Sequence, residues 1–212
     1  MAQLLLNPAC DRTLPYGERQ RAILSLAAAG QARATIAAWE GYAPTPLRDL
    51  GFIARATRVA SILYKDEGER FSLRSFKALG GAYAVDRLVA RRGSAAGLTV
   101  TCATDGNHGR AVAWGARRAG VRAVIYVHEG VSEGSNYDAS VRASAEAAAR
   151  NGWEIVSDTS WPGYEDVPRD VMQGYAVLAM EAEDAGARPT HVFVQGGVGG
   201  IAAAVLSYRW EK

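Results

Sequence analysis

Short runs of β-branched and apolar residues alternate along this chain with longer stretches rich in alanine and leucine, and glycine-bearing turns join them. No other feature constrains the fold as much. Strands that alternate with helices assemble into an α/β architecture of open, mostly parallel sheets. Right-handed crossovers then gather the strand-to-helix turns on one edge of the sheet. The runs Ser61–Lys65, Thr99–Ala103, Val121–Val127, Trp153–Val156 and His191–Val194 read as strands. Helices are predicted over Gly17–Trp39 with a break at Gly30, and over Leu47–Ala60, Phe76–Arg92, Gly106–Gly120, Tyr137–Asn151, Asp170–Ala185 and Gly200–Trp210. Residues 1–16 read as an irregular lead-in. Pro44-Thr45-Pro46 is an extended connector, because proline biases its predecessor away from helix.

Three turns that open helices carry the candidate chemistry, so the topology can bring them to one site. The last is Gln195-Gly196-Gly197-Val198-Gly199-Gly200. Glycines let a backbone approach a ligand closely, and a helix start offers free N–H groups and the positive end of the dipole, a combination that binds phosphate. The same loop also fits the dinucleotide pattern G-x-G-x-x-A, so taken alone it does not separate a nicotinamide cofactor from pyridoxal phosphate. A tight turn with no ligand remains a third reading of it.

Lys77 lies in Ser75-Phe76-Lys77, with Ser75 placed to cap the helix, and Ala78, Leu79, Gly80 and Gly81 follow. So little charge surrounds it that a partly buried amine is expected, and a neutral amine is what a Schiff base requires. Gly80 and Gly81 weaken a helix, so a close backbone approach is the expected reason for them. The remaining turn is Thr104-Asp105-Gly106-Asn107-His108-Gly109. Asn107 can bond a cofactor oxygen and Asp105 can accept a proton, although either also suits a helix cap. Asp138 has the same two readings at the start of its helix, and His108 reads as a structural polar contact.

Composition excludes several classes. The chain has 212 residues and a formal net charge of +2, which gives no electrostatic reason to expect nucleic acid or a membrane surface as partner. No apolar run is long enough to span a bilayer, and Met1–Cys10 lacks the basic start of a secretory signal, so the expected location is the cytoplasm. Two cysteines, Cys10 and Cys102, do not make a disulfide framework, and Cys102 reads as a packed thiol in a buried strand. His108, His128 and His191 are too scattered for a metal site, and no G-x-S-x-G elbow is present.

Together these motifs resemble the tryptophan-synthase-β-like (fold type II) group of pyridoxal-phosphate enzymes, and within it the diaminopropionate ammonia-lyases. The matching segments are Tyr64-Lys65-Asp66-Glu67-Gly68 through Ser75-Phe76-Lys77-Ala78-Leu79-Gly80-Gly81, the turn with Asp105, Asn136-Tyr137-Asp138, and Ser157-Asp158-Thr159-Ser160-Trp161 through Glu165. Relatives with other activities usually carry serine or alanine where Asp105 stands. The resemblance implies pyridoxal 5'-phosphate as cofactor, with Lys77 as its covalent anchor, Gly196, Gly197, Val198, Gly199 and Gly200 as the phosphate cradle, and Asn107 facing the ring's phenolic oxygen. It implies α,β-elimination of 2,3-diaminopropionate to pyruvate and ammonia, with Asp105 as base for the D enantiomer and Asp138 for the L. A homodimer is implied as well. The implied domains are 1–82 in a large cofactor domain, 83–165 as a small domain, and 166–212 returning to the large one.

Two departures from that family stand in the sequence. The family runs on past the glycine loop, whereas this chain stops at Lys212; and Val127 leads to Asn136 without the helix and strand that relatives place between, near residues 131–136. The expectation is a chain that is inactive, or nearly so, by itself. Another amino-acid dehydratase of the same fold, and a non-catalytic remnant acting as an interaction module, are the alternatives.

Overall fold

The structure is a computed structural model. It describes residues 8, 11, 13–104, 106–127 and 135–212, the side chains of 135–137 excepted. In chain order the elements are α1 (Glu18–Arg21), α2 (Leu26–Ala37), β1 (Leu47–Asp49), α3 (Gly51–Thr57), β2 (Leu63–Lys65), a 3-10 segment (Glu67–Ser72), α4 (Lys77–Arg92), β3 (Thr99–Ala103), α5 (Asn107–Arg118), β4 (Arg122–Tyr126), α6 (Ser135–Asn151), β5 (Glu154–Ile155), α7 (Asp166–Asp184) and α8 (Gly200–Glu211). The α/β class is as expected. A parallel sheet of order β4-β3-β5 has β3 at its centre, and β1 and β2 form a separate antiparallel pair. Thr99, Val100, Thr101 and Cys102 are all buried, the pattern of a parallel strand covered on both faces. Cys102 is a free, buried thiol, pushed up to about 12 by burial; Cys10 lies outside the described residues.

Several elements differ from their sequence expectation. Gly17–Trp39 is two helices, and the break falls at residues 22–25 rather than at Gly30. Ser25 accepts a hydrogen bond from the Ala28 N–H (3.1 Å) and so starts α2 afresh, while the Tyr16 hydroxyl ties the turn by donating to the Leu24 carbonyl (2.9 Å). A mid-helix glycine costs only about 1 kcal/mol against alanine, too little to break α2. Leu47–Asp49 is not helical: it pairs with β2, leaving only Gly51–Thr57 as helix. α7 begins at Asp166, before the expected Asp170, because Pro168 lies in its first turn, where a missing N–H does no harm. His191–Val194 is not a strand. No strand lies beside it among the described residues, Phe193 is 93% exposed, and an unpaired extended run has no ladder to join.

α4 is the centre of the helical packing, held between α5 and α7 at distances that only missing side chains allow. A Cβ at Gly174 would lie 2.1 Å from the Leu79 carbonyl oxygen, one at Gly80 2.4 Å from Cε1 of Tyr175, and one at Gly115 2.5 Å from Cα of Ala82. The close approach inferred for Gly80 and Gly81 is therefore helix against helix.

A buried ionic cluster fixes the approach to α4. Arg70, 1% exposed, donates from both terminal nitrogens to Glu181 of α7 (2.8 and 2.6 Å) and from Nε to Glu67 (2.8 Å). Lys65 Nζ also meets Glu181 (2.6 Å), and the Tyr42 hydroxyl donates to it (3.0 Å). Two basic and two acidic side chains thus cancel, and the segment that leads to Lys77 is pinned to α7.

The packing and the ionic cluster give three stability predictions. Gly174→Ala sets a methyl against a backbone carbonyl that cannot rotate away, and is expected to lose about 1–3 kcal/mol in urea unfolding. Gly30→Ala, whose Cβ meets nothing within 4 Å, should gain about 0.5–1 kcal/mol. At Glu181, burial opposes the charge, but Arg70 and then Lys65 hold its carboxyl below the ordinary value of 4.5. Its stabilisation is therefore present above pH 4.5 and lost as pH falls through the lowered folded value. Glu181→Gln should cost about 3–5 kcal/mol at pH 7, because Glu67 alone then faces Arg70 and Lys65 and one buried positive charge is left uncompensated, and should flatten the loss of stability that the parent chain shows in acid.

Candidate active site

Lys77 is the first residue of α4, and the Ser75 hydroxyl accepts its backbone N–H (3.2 Å). That much of the expected cap is present, although Phe76, in helical conformation, takes the formal cap position. The Lys77 side chain faces inward. Its Nζ lies 2.5 Å from Oδ2 of Asp158, and the two side chains are 23% and 16% exposed. The rings of Phe76 and Tyr175, in edge contact at 5.0 Å, have their centroids 5.5 and 5.6 Å from the same Nζ. At these distances the ring faces attract the ammonium.

His108, in the first turn of α5, completes the niche. Its Nε2 meets the Val156 carbonyl at 2.8 Å and so carries the ring hydrogen, while Nδ1 lies 4.0 Å from Oδ2 of Asp158. Burial holds this imidazole below its ordinary value, which keeps it neutral at neutral pH. Burial likewise holds the Tyr175 phenol well above its own, so it stays protonated. For Asp158, burial opposes ionisation, but the Lys77 ammonium in contact with it helps to hold the carboxyl below the usual range. Among the described residues, Nδ1 of His108 and the hydroxyl of Tyr175 are buried with no hydrogen-bond partner.

The glycine loop reaches this niche through Tyr175. Gly199 has φ +92°, a conformation that favours glycine, and α8 starts at Gly200. A Cβ at Gly200 would stand 3.6 Å from the Tyr175 ring, the same ring that faces Lys77. Gly196, Gly197, Val198 and Gly199 are exposed, and a Cβ at any of the three glycines would meet nothing within 4 Å. The first-turn N–H groups of α8 have no partner within the helix. An open cradle of backbone donors beside an inward lysine fits a ligand with an anionic group and an aldehyde, which is the chemistry of pyridoxal phosphate.

The other expected site residues are placed differently. Asp105 lies outside the described residues. Asn107 is exposed at the start of α5, and its Oδ1 accepts from Arg110 at 3.4 Å. Asp138 is exposed in the first turn of α6, and no hydrogen bond among the described residues joins it to Lys77. Asp158 and Tyr175 had no role assigned from sequence. The signal for Asp158 was its position: it follows β5, and in a parallel sheet the segments after the strands share one edge with the Thr104 turn. A groove of 540 Å³ lined by Leu88, Arg91, Glu154 and Tyr164 lies along the far turns of α4 and holds none of these groups.

Residues 38–212 match the family model described as pyridoxal-phosphate dependent enzyme. The chain is 41% identical over 203 residues to the diaminopropionate ammonia-lyase of Escherichia coli K12, an alignment covering 79% of this chain and 51% of that protein. The crystal structure of the Escherichia coli diaminopropionate ammonia lyase in apo form superposes with a TM-score of 0.83 at 40% identity, covering 89% of this chain and 60% of that one. The same lyase in complex with D-serine gives a TM-score of 0.82 at 39% identity, over 89% and 57% of the two chains. The chain thus spans about half the length of the curated relatives it matches.

The unpartnered phenol yields a prediction for the cofactor-free chain. Tyr175→Phe removes a buried hydroxyl that makes no hydrogen bond and keeps the ring that packs on Phe76 and Gly200. It should raise stability by about 1 kcal/mol in urea unfolding, where the loss of a satisfied hydroxyl would lower it.

Proposed function

Because the chain belongs to the pyridoxal-phosphate dependent enzyme family, we propose that Lys77 anchors pyridoxal 5'-phosphate in a site for α,β-elimination of ammonia from 2,3-diaminopropionate, with pyruvate as the carbon product. One observation carries this reading: the Lys77 amine points into a niche whose Tyr175 wall also packs against Gly200, where the glycine loop enters α8. When bound, the cofactor supplies an electrophilic aldehyde carbon and a ring that accepts the electrons of a broken C–H bond.

The rest is the work of this chain's side chains and backbone. Gly196 to Gly200 and the first turn of α8 hold the phosphate through N–H groups and the helix dipole. Lys77 supplies the amine that binds the aldehyde carbon and that the substrate amine then displaces. Phe76 and Tyr175 exclude water from its inner side. Asn107 donates to the phenolic oxygen of the ring. Asp105 removes the α-proton from the D enantiomer and Asp138 from the L, two bases serving opposite faces. Similarity to a lyase whose crystal structure holds D-serine supports tolerance of the D hand.

The partner is a small amino acid, and neither nucleic acid nor a membrane is part of the reading. In its support, the net charge is +2, and no helix among the described residues is long and apolar enough to cross a membrane. The protein works in the cytoplasm as a homodimer, with residues 83–165, which carry the parallel sheet, as the small domain.

The test is direct. The chain has three lysines, Lys65, Lys77 and Lys212. Incubation with pyridoxal phosphate, borohydride reduction and peptide mass spectrometry should place the adduct on Lys77, and Lys77→Ala should abolish it. Adding 2,3-diaminopropionate before reduction should lower the labelling more than threonine does. A folded protein with no adduct, or with the adduct on Lys65 or Lys212 alone, overturns the assignment.

A further inference from the structure

Lys77 meets one carboxylate, and that carboxylate has no described basic partner but Lys77 and, 4.0 Å away, the ring of His108. Asp158 is carried by the segment that leaves β5 and is mostly buried. Across from it stand four groups: Lys77 from α4, His108 from α5, Tyr175 from α7 and Cys102 from β3. Burial keeps the last three uncharged at neutral pH. The charge in the niche is therefore one ion pair.

Resting on Lys77 as the cofactor anchor, we propose that Asp158 is the positioning residue of cofactor capture: it holds the Lys77 amine in the niche as an ammonium and must release it before the amine can attack the aldehyde. An ammonium has no lone pair. One proton leaves Nζ to solvent first, once the 2.5 Å contact with Oδ2 of Asp158 opens. The neutral amine then forms a double bond from Nζ to the aldehyde carbon. The carbon–oxygen double bond breaks, and the oxygen departs as water with the two hydrogens that remained on Nζ. No oxidant or reductant enters.

Asp158 thus slows capture where the ion pair is intact and keeps the amine beside the glycine loop until the anion of the cofactor arrives. It is a hold on the reacting nitrogen, which a merely structural carboxylate would not exert.

The experiment compares the parent chain with Asp158→Asn, Asp158→Glu and Asp184→Asn, the last removing an exposed carboxylate paired with Arg33. Each is mixed with pyridoxal phosphate from pH 6 to pH 10, and the rate of borohydride-fixed adduct at Lys77 is read by mass spectrometry. The Asn variant, which lacks the carboxylate that holds the ammonium, should capture the cofactor about tenfold faster at neutral pH, with the gap narrowing toward pH 10, where lysine ammonium groups lose their protons anyway. The Glu variant, which restores the charge, and the Asp184 control should follow the parent. Superimposable profiles for the parent and Asp158→Asn overturn the proposal while leaving Lys77 as anchor. A folded parent chain with no adduct at Lys77 overturns both. Should the Asn variant not fold, Asp158→Ser is read in the same assay: adduct forming at Lys77 faster than in the parent is expected, and an equal rate overturns the hold.

Discussion

The contact between the backbones of α4 and α7 is the constraint on which the site depends. Gly174 lets α7 approach the Leu79 carbonyl, and Gly80 lets Tyr175 and Val171 lie against α4 from the other direction. At that separation Tyr175 stands beside the first turn of α4, near enough to face Lys77 and to form an edge contact with Phe76. The same ring packs on Gly200, so the entry to α8 is set by the same contact. A lysine, its aromatic wall and the glycine cradle are therefore one packing unit. Backbone and rings hold it together, so its geometry does not depend on flexible side chains.

The stretch before Lys77 is held less comfortably. Phe71, Ser72 and Arg74 have φ of +47°, +61° and +58°, and none is glycine. Each such residue costs roughly 1–2 kcal/mol in that conformation. Fixed neighbours offset it: Arg70 is locked to Glu181 and Glu67, and the Phe71 ring stacks on Trp114 of α5 at 4.7 Å. A charge-balanced buried cluster is a weak source of net stability but a strong source of position, because any slip strands an ion. Here it fixes where the chain turns into α4, and hence where Lys77 begins its helix.

Where sequence signals are local, the fold was legible from them. Alanine-rich α4 and α5 and the β-branched run Thr99–Ala103 fall within a few residues of their expected bounds. Failures arise where structure depends on a partner. Leu47–Asp49 has helix-compatible residues but joins β2, and His191–Val194 has strand composition but no neighbour among the described residues. In the site, Lys77 and the glycine loop were visible because glycine and an uncharged flank are unusual near a lysine. Tyr175 lies inside the predicted helix Asp170–Ala185 with no local signal to mark it, and Asp158 lies 81 residues from Lys77, a separation that periodicity does not bridge.

The electrostatics of the niche divide two jobs that a bare lysine would confuse. An unpaired ammonium in an apolar wall would draw any anion, phosphate included, onto its own nitrogen. Asp158 cancels that charge at 2.5 Å, and His108, Tyr175 and Cys102 add none. Positive potential also stands at the start of α8, where Gly196, Gly197 and Gly199 leave open space around the backbone. On the proposed function, an incoming phosphate would be directed to the glycines and the amine left for the aldehyde. The hold proposed for Asp158 would also keep the lysine off the wrong end of that ligand.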